Sequence, residues 1–186
     1  MKKYFLLFCI LFFSACGYKP VAALSQEVLG GSVFVDVIMS KSDPQNSVAI
    51  KDGIRKALIS RLGRDLADKN SADTVIIASI KSITFTPLAF DAYGYVNGYK
   101  ANVTLNYQVR FKDGSIAVLS GDGEHDFYIT RKVAGTEFTD SVISNQERYD
   151  AIAMASKECF DELVAKLAMK GLKAKQNKAQ STNKGE

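Results

Sequence analysis

Residues 101–112 alternate without a break: Ala101, Val103, Leu105, Tyr107, Val109 and Phe111 are apolar, and Asn102, Thr104, Asn106, Gln108, Arg110 and Lys112 are polar. A period of two is the geometry of a strand, with one row of side chains buried and the other in water. A sheet with one wet face must be covered on its other face. The chain is therefore expected to fold in two layers.

Asp113 and Gly114 follow, and as a two-residue type I′ hairpin turn they would set Phe111 opposite Ile116 and Val109 opposite Val118. Even-numbered residues of the returning strand would then face the core, yet its later large apolar residues, Phe127 and Ile129, are odd-numbered. A strand changes parity only by absorbing an extra residue, which predicts a β-bulge at Gly121 to Gly123. In this register Asp122, Glu124 and Asp126 share the wet face while His125 points inward near Val103. The string "GDGEHD" is thus no metal site, because the histidine and the acids do not converge.

"SVFVDVIMS" at 32–40 reads as a first strand from its β-branched residues, and "ADTVIIASIKSITF" at 72–85 as a second, ended by Pro87. Between them Ile50, Ile54, Ala57, Leu58, Leu62 and Leu66 recur at three-and-four spacing, the face of one amphipathic helix. A closing helix is expected from near Asn145 to about Lys170, with Ile152, Ala155, Cys159, Leu163 and Leu167 as its buried stripe. The order β-α-β-β-β-α predicts an α+β two-layer sandwich. Its four-stranded, mostly antiparallel sheet carries both helices on one face.

At the N-terminus Lys2 and Lys3 precede the apolar and aromatic run Tyr4 to Phe13, followed by Ser14, Ala15 and Cys16. A membrane-spanning helix needs about 20 apolar residues, and this run stops short of that. It has the form of an export signal, residues 1–15, and "FSAC" resembles the bacterial lipobox, which makes Cys16 a lipidation site. An ordinary secretory signal has little reason to place cysteine there. Residues 16–31 then form a short lipidated tether, 32–170 the domain, and 171–186 a basic tail expected to be disordered. With Cys9 discarded and Cys16 acylated, Cys159 is left without a disulfide partner and fits as a small core residue.

The formal net charge of +4 loses Lys2 and Lys3 with the signal, leaving +2. Five lysines against Glu186 from Lys170 onward account for +4, so residues 16–169 carry about −2. A mildly acidic body without a basic-aromatic module gives no footprint for nucleic acid. Nor is there a nucleophile-base pair, a phosphate loop or a convergent ligand set, so the chain reads as a non-enzyme without a cofactor.

Cys16-Gly17-Tyr18, together with this order of strands and helices over about residues 16–170, resembles the LptE family of lipopolysaccharide-assembly lipoproteins, most closely the forms of campylobacter-like bacteria. The resemblance implies two helices on a four-stranded sheet. It implies an outer-membrane lipoprotein, anchored on the periplasmic side through N-terminal acyl chains, with an LptD-like β-barrel and lipopolysaccharide as partners. It also points to the loop between the second and third strands, where family members carry basic residues toward lipopolysaccharide. Here "TPLAFDAYGYVNGYK" has Asp91 near its tip and no basic residue before Lys100. The ligand-binding candidates are therefore Phe90, Tyr93 and Tyr95 with Lys100, and, after the fourth strand, Arg131 and Lys132. The alternative is a lipoprotein that binds a cell-wall synthase or peptidoglycan. Such proteins need a long tether, and here about 15 residues reach at most about 50 Å.

Overall fold

Strand β1 (Ser32–Val37) buries every second side chain, Val33, Val35 and Val37. It lies parallel to β3 (Thr74–Phe90), which pairs antiparallel with β4 (Val96–Arg110), and β4 pairs antiparallel with β5 (Ile116–Tyr128). A two-residue strand, β2 (Asp65–Leu66), runs parallel to the outer side of β1, giving the order β2-β1-β3-β4-β5. The computed structural model describes residues 29–40, 44–63, 65–129, 133–134, 137–138 and 142–182. Beyond the expected elements, β6 (Val133–Ala134) and β7 (Glu137–Phe138) pair as a small separate ladder.

Helix α1 (Pro44–Ala57) opens with proline in its first turn, where the missing N–H would have no helical partner. It connects the parallel pair β1 and β3. Helix α2 (Asn145–Thr182) begins where expected, and a capping box fixes its start: the Glu147 carboxylate accepts from Ser144 N at 2.8 Å, and Glu147 N donates to Ser144 Oγ at 3.2 Å. Both helices cover the inner sheet face. Ile50 and Ile54 from the first, Leu58 just after it, and Ile152, Phe160, Leu163 and Leu167 from the second enter one core with Val103, Leu105, Tyr107 and Val109 of β4. Every residue of the stripe expected on α2 is fully buried.

Four expectations are corrected. The face read as helix through Leu66 stops earlier: a π turn at Leu58–Leu62 ends at Gly63, whose φ of 55° is the left-handed form glycine adopts freely. Leu66 then reaches the core from β2, beside Val33. Pro87 does not end β3, which runs on to Phe90. Among the described residues no strand pairs with the far side of β3 beyond Ala78, where β1 leaves, and proline is tolerated on such a length of strand. The other end of the chain differs too. Helical backbone continues to Thr182, beyond the end expected near Lys170, because the alanines, lysines and glutamines after Gly171 are good helix formers.

The fourth correction is the register. β4 and β5 pair without interruption from Gly98↔Tyr128 to Arg110↔Ile116, so there is no bulge at Gly121 to Gly123. Phe111 N bonds to Ser115 O and Gly114 N to Phe111 O, each at 3.0 Å, which makes a three-residue loop with Gly114 alone at positive φ. The extra residue that restores parity sits in this turn. A parity change does occur inside a strand, but in β3: Lys81 has no partner between Ile80↔Leu105 and Ser82↔Thr104, and the inner row shifts from Ile76, Ala78 and Ile80 to Ile83 and Phe85. A bulged lysine and Pro87 on the open length of β3 both discourage pairing with another strand.

Gly121 and Gly123 serve a different purpose. A Cβ at either would strike the backbone of α2, at the Cys159 and Ala155 carbonyls respectively. The helix thus lies directly on β5. It also satisfies that strand's outer edge: Glu124 N donates to Glu158 Oε2 at 3.0 Å, Asp122 N donates to Glu162 Oε2, and Lys166 Nζ donates to Ser120 O at 2.8 Å. Strand residues two apart advance about 6.7 Å. Helix residues four apart advance about 6 Å, so the two rows stay in step.

The Tyr107 hydroxyl is buried in this layer with no hydrogen-bond partner among the described residues, and burial pushes its phenol well above the ordinary range. Tyr107→Phe is expected to be neutral or to stabilise by up to about 1 kcal/mol, read from chemical denaturation, since it removes a desolvated donor and keeps the ring. A loss beyond about 1 kcal/mol would mean the hydroxyl is bonded in solution.

Candidate functional site

The long β3–β4 hairpin carries the aromatic candidates to one end of the sheet. Its turn is pinned by Asp91, whose Oδ1 accepts from Tyr93 N at 2.9 Å and Tyr95 N at 3.0 Å. A short polar side chain that bonds the backbone two residues on holds a turn in one shape. Gly94 supplies the positive φ, 82°, that the turn needs. On this frame Phe90 is 62% exposed and Tyr93 71%, with Leu88 and Tyr95 also exposed. Leu88 on β3 and Asn97 on β4 are skipped by the β3–β4 ladder, so both strands are irregular just before the turn.

Behind the tip the inner face carries a second aromatic group. Phe127 packs edge-on to Phe85 and stacked on Tyr99, with centroids 6.0 Å apart in each pair, and the Arg148 guanidinium lies 5.1 Å above the Phe85 ring. These rings close the sandwich where the helices begin. On the outer face Tyr128 is exposed and lies across Gly98, where a Cβ would stand 3.0 Å from its ring. Arg148 and Tyr128 were not among the sequence candidates. The capping box before α2 was the available signal for Arg148, and only cross-strand register places Tyr128.

Lys100 does not join the tip. It lies five residues from Tyr95, roughly 16 Å along the strand. Its ammonium is held by Glu124 Oε2 at 2.7 Å and Asp126 at 3.9 Å, and this hydrogen bond to Glu124 raises its pKa. It belongs to the outer sheet face, where Asn102 Nδ2 donates to Thr86 Oγ1 at 2.8 Å and Thr104 Oγ1 to Asp122 Oδ1 at 2.7 Å. His125 sits opposite Ala101, half-buried, with Glu124 and Asp126 on the other face of the strand. Arg131, Lys132 and Cys16 lie outside the described residues. Cys159 is buried, donates to Val103 O at 3.2 Å, and has its thiol pushed up to about 12 by burial. That is a core residue and not a reactive one.

The family model LptE: Lipopolysaccharide-assembly matches residues 33–167. The chain belongs to the LptE family. The match runs from the start of β1 to the last core turn of α2, so it covers the whole described sandwich of this LptE-family chain. Among solved structures it is similar to rare lipoprotein B from Shewanella oneidensis, at 11% identity and a TM-score of 0.35, covering 82% of this chain and 98% of that one. It is also similar to a putative lipoprotein from Caulobacter crescentus CB15, at 12% identity and a TM-score of 0.44, covering 82% and 96%. A minor lipoprotein from Acinetobacter baumannii gives 10% identity and a TM-score of 0.38, covering 77% and 94%. No curated protein matches the chain. Among the described residues no helix is long and apolar enough to cross a membrane.

Proposed function

We propose that this LptE-family chain is an outer-membrane lipoprotein, acylated at Cys16 and held on the periplasmic side. It works there with an LptD-like β-barrel in the transport and assembly of lipopolysaccharide. The observation that carries this reading is the outer sheet face, left uncovered among the described residues, of a chain in the lipopolysaccharide-assembly family. Asn102, Thr104, Asn106, Gln108 and Arg110 of β4 lie on that face, polar and mostly uncharged, with Asn102 bonded to Thr86 of β3 and Thr104 to Asp122 of β5. The lumen of a membrane barrel is polar and offers donors and acceptors to such a face. The pinned aromatic tip, Phe90, Tyr93 and Tyr95, then meets acyl chains or the barrel wall, each tyrosine offering an apolar body and a polar end.

A photo-crosslinker placed at Asn106 or Tyr93 in living cells, followed by denaturing purification, tests the partner. A large outer-membrane barrel is the expected product, and recovery of a cell-wall synthase with no barrel would overturn the reading. Replacing Phe90, Tyr93 and Tyr95 together by serine should change stability by no more than about 0.5 kcal/mol per exposed site. The same change should reduce crosslinking from Tyr93's neighbour Ala92.

A further inference from the structure

Where β1 leaves the sheet, a groove of about 520 Å³ opens beside β3. Ile38 N still donates to Ala78 O at 2.8 Å, and beyond that bond the two strands part. Ile38 and Met39 are 60% and 62% exposed. Neighbours on a strand point to opposite faces, yet both line the groove, because the chain is turning away from the sheet here. Facing them are residues 79–83 of β3, with Arg148 of α2. Lys81 is the residue that the β3–β4 ladder skips, and a bulge re-aims the side chain it carries. Arg148 is set over the Phe85 ring, 5.1 Å from its centroid, and is exposed.

Among the described residues no acidic side chain lines this groove, and neither Lys81 nor Arg148 has an ion-pair partner. Elsewhere such charges are matched: Lys51 meets Asp36 at 2.7 Å, and Lys166 meets Glu162 at 2.8 Å. A cavity of about 630 Å³ at the β4–β5 turn, lined by Leu29, Lys112 and Leu167, is balanced in the same way, since Asp73 holds Lys112 at 2.9 Å. The groove thus sets two uncompensated positive charges beside two exposed apolar side chains. Its sign is opposite to that of residues 16–169 as a whole, which carry about −2.

We propose that this groove takes a short acidic segment of the chain's protein partner, with carboxylates at Lys81 and Arg148 and an apolar side chain on Ile38 and Met39. The inference rests on the reading above that the chain works against such a partner. Complementary charge fixes the register of the segment, and the apolar contact supplies hold, with methionine adapting its shape to the surface it meets. A free phosphate would use the two cations and leave Ile38 and Met39 in water. A lipid keeps its charged and apolar ends apart, whereas the β3 wall of the groove interleaves them, as Ser79, Ile80, Lys81, Ser82 and Ile83 in order. A peptide that interleaves carboxylates with apolar residues matches that wall. The bulge at Lys81 and Pro87 oppose a long added strand, so the segment is short and is held through its side chains.

The test is a photo-crosslinker at Met39 of the full-length chain in living cells, with the crosslinked peptide of the partner identified by mass spectrometry. The expected product is a segment with more than one acidic residue. Lys81→Glu should reduce that product about ten-fold and adding Arg148→Glu should reduce it further, because each reversal turns an attraction into a repulsion. Lys81→Arg should leave it unchanged. An unchanged melting temperature shows that the fold is kept; if reversal disturbs the strand, Lys81→Gln, which only removes the charge, should still give about a five-fold loss. A product that these changes at Lys81 leave undiminished, a segment without acidic residues, a lipid, or no product at all overturns the proposal. Crosslinking from Asn106 reports the barrel reading separately. A barrel recovered there with no acidic segment at Met39 refutes the groove alone, whereas an acidic segment of another protein at Met39 with no barrel at Asn106 refutes the barrel and leaves the groove.

Discussion

Gly123→Val is expected to destabilise the domain by about 3 kcal/mol, the upper range for overpacking a site whose neighbour cannot move aside. The neighbour is backbone. A Cβ at Gly123 would overlap the Ala155 carbonyl oxygen and lie 2.7 Å from Cys159 N, so α2 must lift off β5 or the strand must bend away. Either movement also separates Glu158 and Glu162 from the strand donors they satisfy. For a domain of this size the melting temperature should fall by roughly 6–12 °C, measured by far-ultraviolet circular dichroism. Gly98→Ala is the contrast, because the atoms nearest its Cβ are side-chain atoms of Ala89 and Tyr128, at 3.0 Å, and the Tyr128 ring can turn. If Gly123→Val melts with the unmodified protein, α2 does not approach β5 this closely in solution.

Opening the β5 edge should have a larger effect on solubility than on stability. Glu158→Ala with Glu162→Ala removes two side-chain acceptors from strand N–H groups, at about 0.5–1.5 kcal/mol each. It also exposes a run of unpaired strand to other molecules, and concentration-dependent association in light scattering is the expected result. A monodisperse double variant would show that the helix backbone alone protects the edge. Acid should reproduce part of the effect. The hydrogen bond from Lys166, then that from Asp122 N, lowers the Glu162 pKa below 4.5. A carboxylate with a lowered native pKa contributes its full stability above the ordinary range, and the contribution is lost as pH falls through the native value. Denaturation midpoints of Glu162→Gln should therefore fall less steeply below pH 4.5 than those of the unmodified protein.

Much of this architecture was legible in local patterns. The uninterrupted alternation of Ala101 to Lys112 marked both faces of β4, and the three-and-four spacing from Ile152 to Leu167 marked the buried stripe of α2. Both rest on repeats within a single element, so no knowledge of neighbours was needed. The aromatic candidates Phe90, Tyr93 and Tyr95 were visible as residue types, and the structure brings them to one turn. Lys100 shows the limit. Its side chain is engaged by Glu124, 24 residues away, and nothing in its local sequence distinguishes it from an available lysine.

The register errors have one cause. Phe127 and Ile129 correctly signalled an odd-numbered inner row, but an extra residue can be absorbed anywhere between two fixed points. It was absorbed at Gly114, in the turn, which left Gly121 and Gly123 for a purpose that depends on α2. The three-residue step from Ile80 to Ile83 is the equivalent signal for the bulge in β3, and it is faint because nearly every residue from Val75 to Ile80 is apolar.

What the sequence alone determined is the four main strands and two helices, the side of β4 and α2 that faces the core, and the family, because periodicity and residue order are local and survive any packing. Only the tertiary structure decided that β1 runs parallel to β3, that two glycines admit a helix backbone, and that Leu29 and the last core turn of α2 at Leu167 line one cavity. Those facts depend on distances between segments far apart in the chain, and no one segment carries them.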